Sequence, residues 1–363
     1  MPNKTNHTIG DSLNIVWTIA SKDIVDAIKN RVVVSMILML SIVLLLPKML
    51  PLIFENTPML PIFDSGDSNL LVDLGTNPDI SVKKVLSEQE LYFVLCGSVY
   101  PQIGLQIPID FDQITAASGR VDLQGYVCWG KRHQVSELQT RLEGVLTQAL
   151  KQPVTIHING NIVYPPSEGV LTFSMVTINS VLMILMMGVF LVPSLFFEEK
   201  ETKTIQALLV SPASIGQVVL GKALAGAFYI LVTSVIIFVI SWQDVTHWSM
   251  VLLFTAAGGL FSIAAGLVLG SFFEKQNDVL GWMMALLLIL VGAVLAKMLG
   301  IELPTLVESI LPWIPSIAMG EICKAAYLEV IPVTQVLNNV WVILTVSLPL
   351  YALVIWKVRR SDR

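Results

Sequence analysis

The chain has 363 residues, of which 54% are hydrophobic and only 13% charged, and it carries a formal net charge of −5. A water-soluble chain has roughly 25% charged residues, so too little charge remains here to solvate a surface of this size. Disordered, disulfide-scaffold and nucleic-acid-binding classes are excluded, and the composition is that of a membrane protein.

Residues 1–31 precede the first long apolar run. Within them Leu13, Val16, Trp17, Ala20, Ile24, Ala27 and Ile28 recur at helical spacing, with Lys22, Asp23, Asp26 and Lys29 on the other face. The pattern predicts an interfacial helix with Trp17 at headgroup depth; a cytoplasmic helix packed on a partner carries the same pattern. Residues 32–54 (VVVSMILMLSIVLLLPKMLPLIF) match the length needed to cross a hydrocarbon core of about 30 Å. They exceed a signal-peptide core, and no small-residue cleavage site follows. They are read as the first span.

Residues 55–169 are ordinary in composition, with thirteen acidic and seven basic residues. GYVCWG and PVTIHINGNIVYP alternate like strands. Between them SELQTRLEGVLTQAL sets Leu138, Leu142, Val145, Leu146 and Leu150 on one helical stripe. A strand–helix–strand unit with a small core is predicted, with a tight turn at Asn159-Gly160. Cys96 and Cys128 both fall here. An oxidising compartment would permit a disulfide between them, and two separate buried thiols suit the spacing equally.

Apolar runs return at 170–197, 215–240, 248–273, 279–299 and 335–356, which makes six spans. Between the second and third of these six, residues 198–213 form a short charged helix. Glu198, Glu199, Lys200, Glu201 and Lys203 are solvated, Ile205, Leu208 and Leu209 form an apolar stripe, and Ser211-Pro212 ends the turn. Such a helix offers a ridge to something on the cytoplasmic side, and a plain connecting hairpin resting on the bilayer has the same make-up. Gly216 to Ala223 nearly matches GxxxxGK[ST]. The hydroxyl that would bind Mg²⁺ is replaced by Ala223, and no strand precedes, so no phosphate loop is expected.

The fourth span carries Gly258, Gly259, Gly266 and Gly270, and Gly266-x-x-x-Gly270 has the close-packing spacing, within one chain or across a dimer. Residues 300–333 are broken by Pro304, Pro312 and Pro315 and hold Glu302, Glu308, Glu321, Lys324 and Glu329. They read either as one or two short helices dipping into the outer leaflet or as an outer loop packed on helix ends. No span has an Asp, Glu or His at its middle, which argues against a proton-coupled carrier. The three cysteines and four histidines match no metal-ligand spacing, so no metal site is expected.

Lysines and arginines set the orientation. Lys4, Lys22, Lys29 and Arg31 precede the first span, and Lys357, Arg359, Arg360 and Arg363 follow the last. Lys200, Lys203 and Lys222 mark the connection after the second span, whereas the loop around Asp244 has neither residue type. Both termini are therefore assigned to the cytoplasm of a cell (inner) membrane, with 55–169 outside. The predicted fold class is an α-helical multi-pass membrane protein: six transmembrane helices, an N-terminal interfacial helix, and a mixed α/β extracytoplasmic domain between the first two spans.

FEEKETKTIQALLVSP followed by GKALAG resembles the corresponding loop in permeases of the ABC-2-type exporter family. The likeness rests on Glu198, Glu199, Glu201, Thr204, Leu208, Leu209, Ser211, Pro212, Gly221 and Lys222. IASKDIVDAIKNR resembles that family's interfacial helix, LQIPIDF its outer-domain motif and NIVYPP the approach to its second span. The resemblance implies a transport subunit with no ATPase and no catalytic residues of its own, and no cofactor bound by this chain. ATP and Mg would be held by a separate nucleotide-binding subunit. Residues 198–213, with Ile205, would be a coupling helix seated on that subunit, and a second permease would complete a homodimer or heterodimer. The alternatives are a membrane receptor or anchor whose outer domain binds a ligand, and an intramembrane enzyme. The enzyme lacks a nucleophile–base pair or an HExxH motif in any span.

Overall fold

The computed structural model describes residues 9–29, 33–35, 37–39, 41–43, 45, 49, 59–66, 68, 70, 74, 81–97, 102–113, 120–158, 160–164, 175–201, 214–298, 301 and 303–361. Helix α1, Ile9–Lys29, leads the chain. The described residues of Val33–Val43 are helical and apolar. Leu45 and Met49 are helical as well, and the other residues of the expected first span lie outside the described ones.

The unit that follows is built on a six-stranded mixed sheet. Its strands are β1 (Met59–Asp64), β2 (Ser81–Val85), β3 (Gly104–Ile107), β4 (Val121–Cys128), β5 (Val154–His157) and β6 (Ile162–Val163). The order is β2-β1-β3-β4-β5, with β6 also on β4. Among the described strands only β3 and β4 pair antiparallel. β4 and β5 are parallel, in register from Val121 against Val154 to Gln124 against His157. A parallel pair needs a crossover, and α3 (Val135–Leu150) supplies it. This is the strand–helix–strand unit expected from the alternation.

Side chains on successive strand residues face opposite ways, and two helices cover the two faces. Leu142 and Leu146 of α3 join Leu60, Ile62, Leu105, Ile107 and Leu123 in the main core. On the other face α2 (Glu88–Gly97) packs Leu91 and Leu95 with Val85, Phe63 and Tyr126. Leu105 and Ile107 of the LQIPIDF motif are thus central strand residues. The turn at Gly160 has φ +89°, a conformation glycine adopts without a Cβ penalty, and Asn161 N–H closes it on Ile158 O at 3.0 Å. Cys96, near the end of α2, is bonded to Cys128 at the end of β4, which decides between the two cysteine readings.

Among the described residues, five helical stretches are long and apolar enough to cross a membrane: Val176–Phe197, Ile215–Ile240, Trp248–Phe272, Gln276–Lys297 and Val333–Arg360. The first comprises α4 (Met175–Met186), a π turn (Met187–Leu191) and α5 (Val192–Glu201). Pro193 accounts for that turn. It cannot donate to the carbonyl four residues back and its ring crowds that carbonyl, and one π turn absorbs the misfit. The others are α6 (Ile215–Ile240), α7 (Trp248–Phe272), α8 (Gln276–Met298) and α11 (Val333–Ser361).

Where the π turn meets α7 the two backbones nearly touch. A Cβ on Gly188 would overlap Ser262, and one on Gly266 would overlap Gly188 O; one on Gly270 would come 2.6 Å from Phe196 Cδ2. Gly266 and Gly270 therefore face the same chain. Between α8 and α11, residues 305–325 form α9 (Thr305–Ile310), a 3₁₀ turn (Leu311–Trp313) and α10 (Pro315–Ala325), bent by 64°. Ser316 Oγ donates to Leu290 O at 2.6 Å, whereas Glu321 meets Lys297 Nζ at 2.7 Å. Seven residues along α8 are about 10 Å, so α10 climbs back toward the end of α8 from which the segment set out. It is a bent helical hairpin whose second arm runs back along α8.

Replacing Cys96 and Cys128 with serine should destabilise the α/β unit by about 3–4 kcal/mol, the loop-closure cost for a 32-residue separation. The check is thiol titration of the denatured chain before and after reduction, which should release two thiols, together with unfolding of the double variant.

Candidate functional site

The residues singled out around 198–222 stand where α1, α5 and α6 meet. α6 opens on a capping box: Ser214 Oγ accepts from Gln217 N–H at 3.3 Å, and Gln217 Oε1 accepts from Ser214 N–H at 2.8 Å. This arrangement satisfies two backbone donors at the start of the helix and fixes where the chain re-enters the bundle. Gln217 Nε2 also donates to Ser12 Oγ of α1 at 3.1 Å.

One turn further on, Gly221 faces α1 directly. A Cβ there would lie 2.6 Å from Ile19 Cγ2 and 3.3 Å from Val16 O, so glycine allows the two helices to approach this closely. Tyr229 O–H, two turns beyond, donates to Ile24 O. From Ser12 with Gln217 to Ile24 with Tyr229, the two helices run parallel.

Lys222 lies within this contact and is fully buried. Its Nζ is 3.2 Å from Asp23 Oδ2, donates to Leu195 O at 2.7 Å, and stands 5.2 Å from the centre of the Phe196 ring. One ammonium thus binds α1, α5 and α6 together. A charge so far from water is tolerated only when paired and hydrogen-bonded, and the Asp23 carboxylate and the Leu195 carbonyl supply both conditions.

This arrangement corrects three expectations. α1 runs lengthwise beside the apolar helix α6 and not across it, as a helix in the membrane interface would. Asp23 does not lie on the solvated face of α1, and Lys222 is not a loop cation. The buried face of α1 is Val16, Ile19, Ala20, Asp23 and Ala27, whereas Leu13, Trp17 and Ile28 are exposed and Lys22 points outward. The physical reason is α6: its counter-charge pulls Asp23 inward and turns the helix so that Trp17 faces away. A signal for this existed in the sequence. Asp23 shares the i, i+3/i+4 stripe of Val16, Ala20 and Ala27, and a lone acid on an apolar stripe calls for a partner. The roles of Leu195, Gln217, Ser12 and Tyr229 had no such signal.

Glu198, Glu199 and Glu201 continue the backbone of α5 to its end. Thr204, Ile205, Leu208, Leu209, Ser211 and Pro212 lie outside the described residues. The near-match to a phosphate-loop pattern, 216–223, is helical throughout, and no group of three or more possible metal ligands occurs among the described residues.

The junction has a definite place in the fold. Gly270 and Phe272 at the end of α7, and Lys357 on α11, lie at the same end of the bundle: Gly270 faces Phe196, and Lys357 Nζ is 5.4 Å from the centre of the Phe272 ring. The α/β unit and the 241–247 turn are at the opposite end.

Removing either charge should be costly. Asp23→Leu or Lys222→Met alone leaves a buried charge unpaired and is expected to cost about 3–5 kcal/mol. The double variant replaces the pair with apolar groups and should recover most of that loss. Reversible unfolding in mixed micelles, run as a double-mutant cycle, measures the coupling.

Among families of known proteins, ABC-2 family transporter protein matches residues 32–357 of the chain. No individual curated protein matches it.

Proposed function

We propose that this chain, which belongs to the ABC-2 family of transporters, is the membrane-spanning permease of an ATP-driven exporter. It is a multi-pass membrane component of an ABC transporter. In the proposed assembly the ATPase, with its ATP and Mg, is a separate subunit, and a second permease completes the membrane half.

The observation that carries this reading is the buried junction at Lys222. Residues 202–213 connect α5 to α6, and Lys222 ties the two roots of that connection together through Leu195 O while holding α1 through Asp23. A force applied to the connection by a nucleotide-binding partner would then move α1, α5 and α6 as one body instead of fraying a loop. The family's coupling role for Glu198, Glu199, Glu201, Thr204, Ile205, Leu208, Leu209, Ser211 and Pro212 suits a lever mounted on such a base. Gly221 and Lys222 belong to the base itself.

The proposed topology has six spans, counting residues 32–54. Both termini and the Lys222 junction face the cytoplasm of the cell membrane, and the α/β domain faces outward. Arg359 and Arg360 in the last turn of α11 support that direction by the positive-inside rule. The Cys96–Cys128 bond supports it too, because disulfides persist in oxidising compartments. Apolar residues exposed along α8 and α11, among them Leu288 and Trp341, suit contact with lipid or with the second permease.

Co-purification from mild detergent should recover an ATPase subunit. Glu199→Lys with Glu201→Lys, or Leu208→Asp alone, should lower permease-stimulated ATP hydrolysis at least ten-fold while membrane insertion is unchanged. Normal stimulated hydrolysis by those variants would overturn the coupling assignment.

A further inference from the structure

We infer that Arg132 is a positioning residue, one that fastens the α/β domain to the 241–247 turn and through it fixes the returning end of the bent hairpin. Cys128, held to Cys96, ends β4, and the chain at once enters a 3₁₀ turn, Trp129–Gln134. The turn sits against the bundle. A Cβ at Gly130 would overlap the Asp244 carboxylate, so the backbone there lies directly on the connection between α6 and α7.

Arg132 joins the two parts. Its Nη1 donates to Trp129 O at 2.7 Å within its own turn and to Gln243 O at 3.0 Å on the other side. Its guanidinium lies 3.6 Å from the centre of the Trp129 ring, which stacks in turn on Tyr164 at 5.0 Å. The planar fork suits this role: it stacks and donates at once, which the compact ammonium of lysine cannot do.

Beyond Gln243 the same turn holds the hairpin. The backbone N–H groups of Thr246 and His247 both donate to Ala326 O, at 2.8 and 2.9 Å, immediately after α10. The His247 Nε2 is 3.1 Å from Glu329 O. A disulfide-braced domain is thereby linked, through one arginine and one short turn, to the end of a helix that dips into the bundle. The domain sets the resting position of that helix end.

The test uses the full-length chain in proteoliposomes on a Cys323→Ala background, with the Cys96–Cys128 bond intact. A cysteine at Leu328, buried beside Ala326, reports the hairpin end to a membrane-impermeant maleimide, and one at the exposed Val330 reports which side it faces. Arg132→Ala should raise the labelling rate of Leu328→Cys at least five-fold and Arg132→Lys at least two-fold. Adding an oxidised Gly130→Cys/Asp244→Cys pair to Arg132→Ala should return labelling to the parent rate. Parent-like labelling in Arg132→Ala, with the α/β domain still protease-resistant, overturns the inference; so does fast labelling that persists after the engineered bond forms. This rests on the outward topology proposed above, and the control separates the two. If Val330→Cys is never labelled from outside, the topology is wrong, whatever the latch does.

Discussion

A lysine buried in an apolar helix bundle has to be answered by a carboxylate and by hydrogen-bond acceptors. In this protein the answer comes from two other helices: Asp23 of α1 and the Leu195 carbonyl of α5. That requirement places α1 lengthwise against α6, turns Trp17 away from the bundle, and brings together the two ends of the segment that links α5 to α6. The Gly221–Ile19 crossing and the Tyr229–Ile24 bond stand on either side of the ion pair and hold the helices close enough for it to form. Buried pairs are poor sources of net stability; what this one supplies is register among three helices.

The rest of the bundle is organised by close backbone approach. Pro193 forces a π turn, the turn presents Gly188, and Gly188 meets Ser262 and Gly266 of α7. Ser262 Oγ donates to Gly258 O at 2.6 Å, so the hydroxyl at this crossing is satisfied within its own helix. In a lipid-like surrounding, apolar burial gives helices little reason to associate, and small residues that allow close packing take over. The glycine face of α7 is that device: Gly266 and Gly270 meet the π turn and α5, whereas Gly258 faces Met319 of α10 and Gly259 faces Ile230 of α6.

The two ends of the molecule are built on opposite principles. At the Lys222 end a buried ion pair, flanked by the Gln217–Ser12 and Tyr229–Ile24 hydrogen bonds, gathers three helices. At the other end a folded α/β unit rests on the bundle through a polar staple of backbone carbonyls and one guanidinium. The first suits the transmission of force along helices. The second suits a domain that is positioned by, and in turn positions, a short loop.

Much of this architecture was written along the chain. The membrane-crossing stretches, the strand–helix–strand order, the broken hairpin at 300–333 and the small-residue face of α7 follow from hydrophobic periodicity, proline placement and spacing, which are local properties. The mixed sheet with its central β3, the Cys96–Cys128 bond, the partners of the glycine face and the latch at Arg132 depended on segments far apart in sequence. The ion pair is the clearest case: Asp23 and Lys222 are 199 positions apart, and although Asp23 on its apolar stripe calls for a partner, nothing in its own segment says which. Local pattern dictates which segments become helices and strands. Only the packing of those segments decides which charges are shut away from water and must therefore find each other.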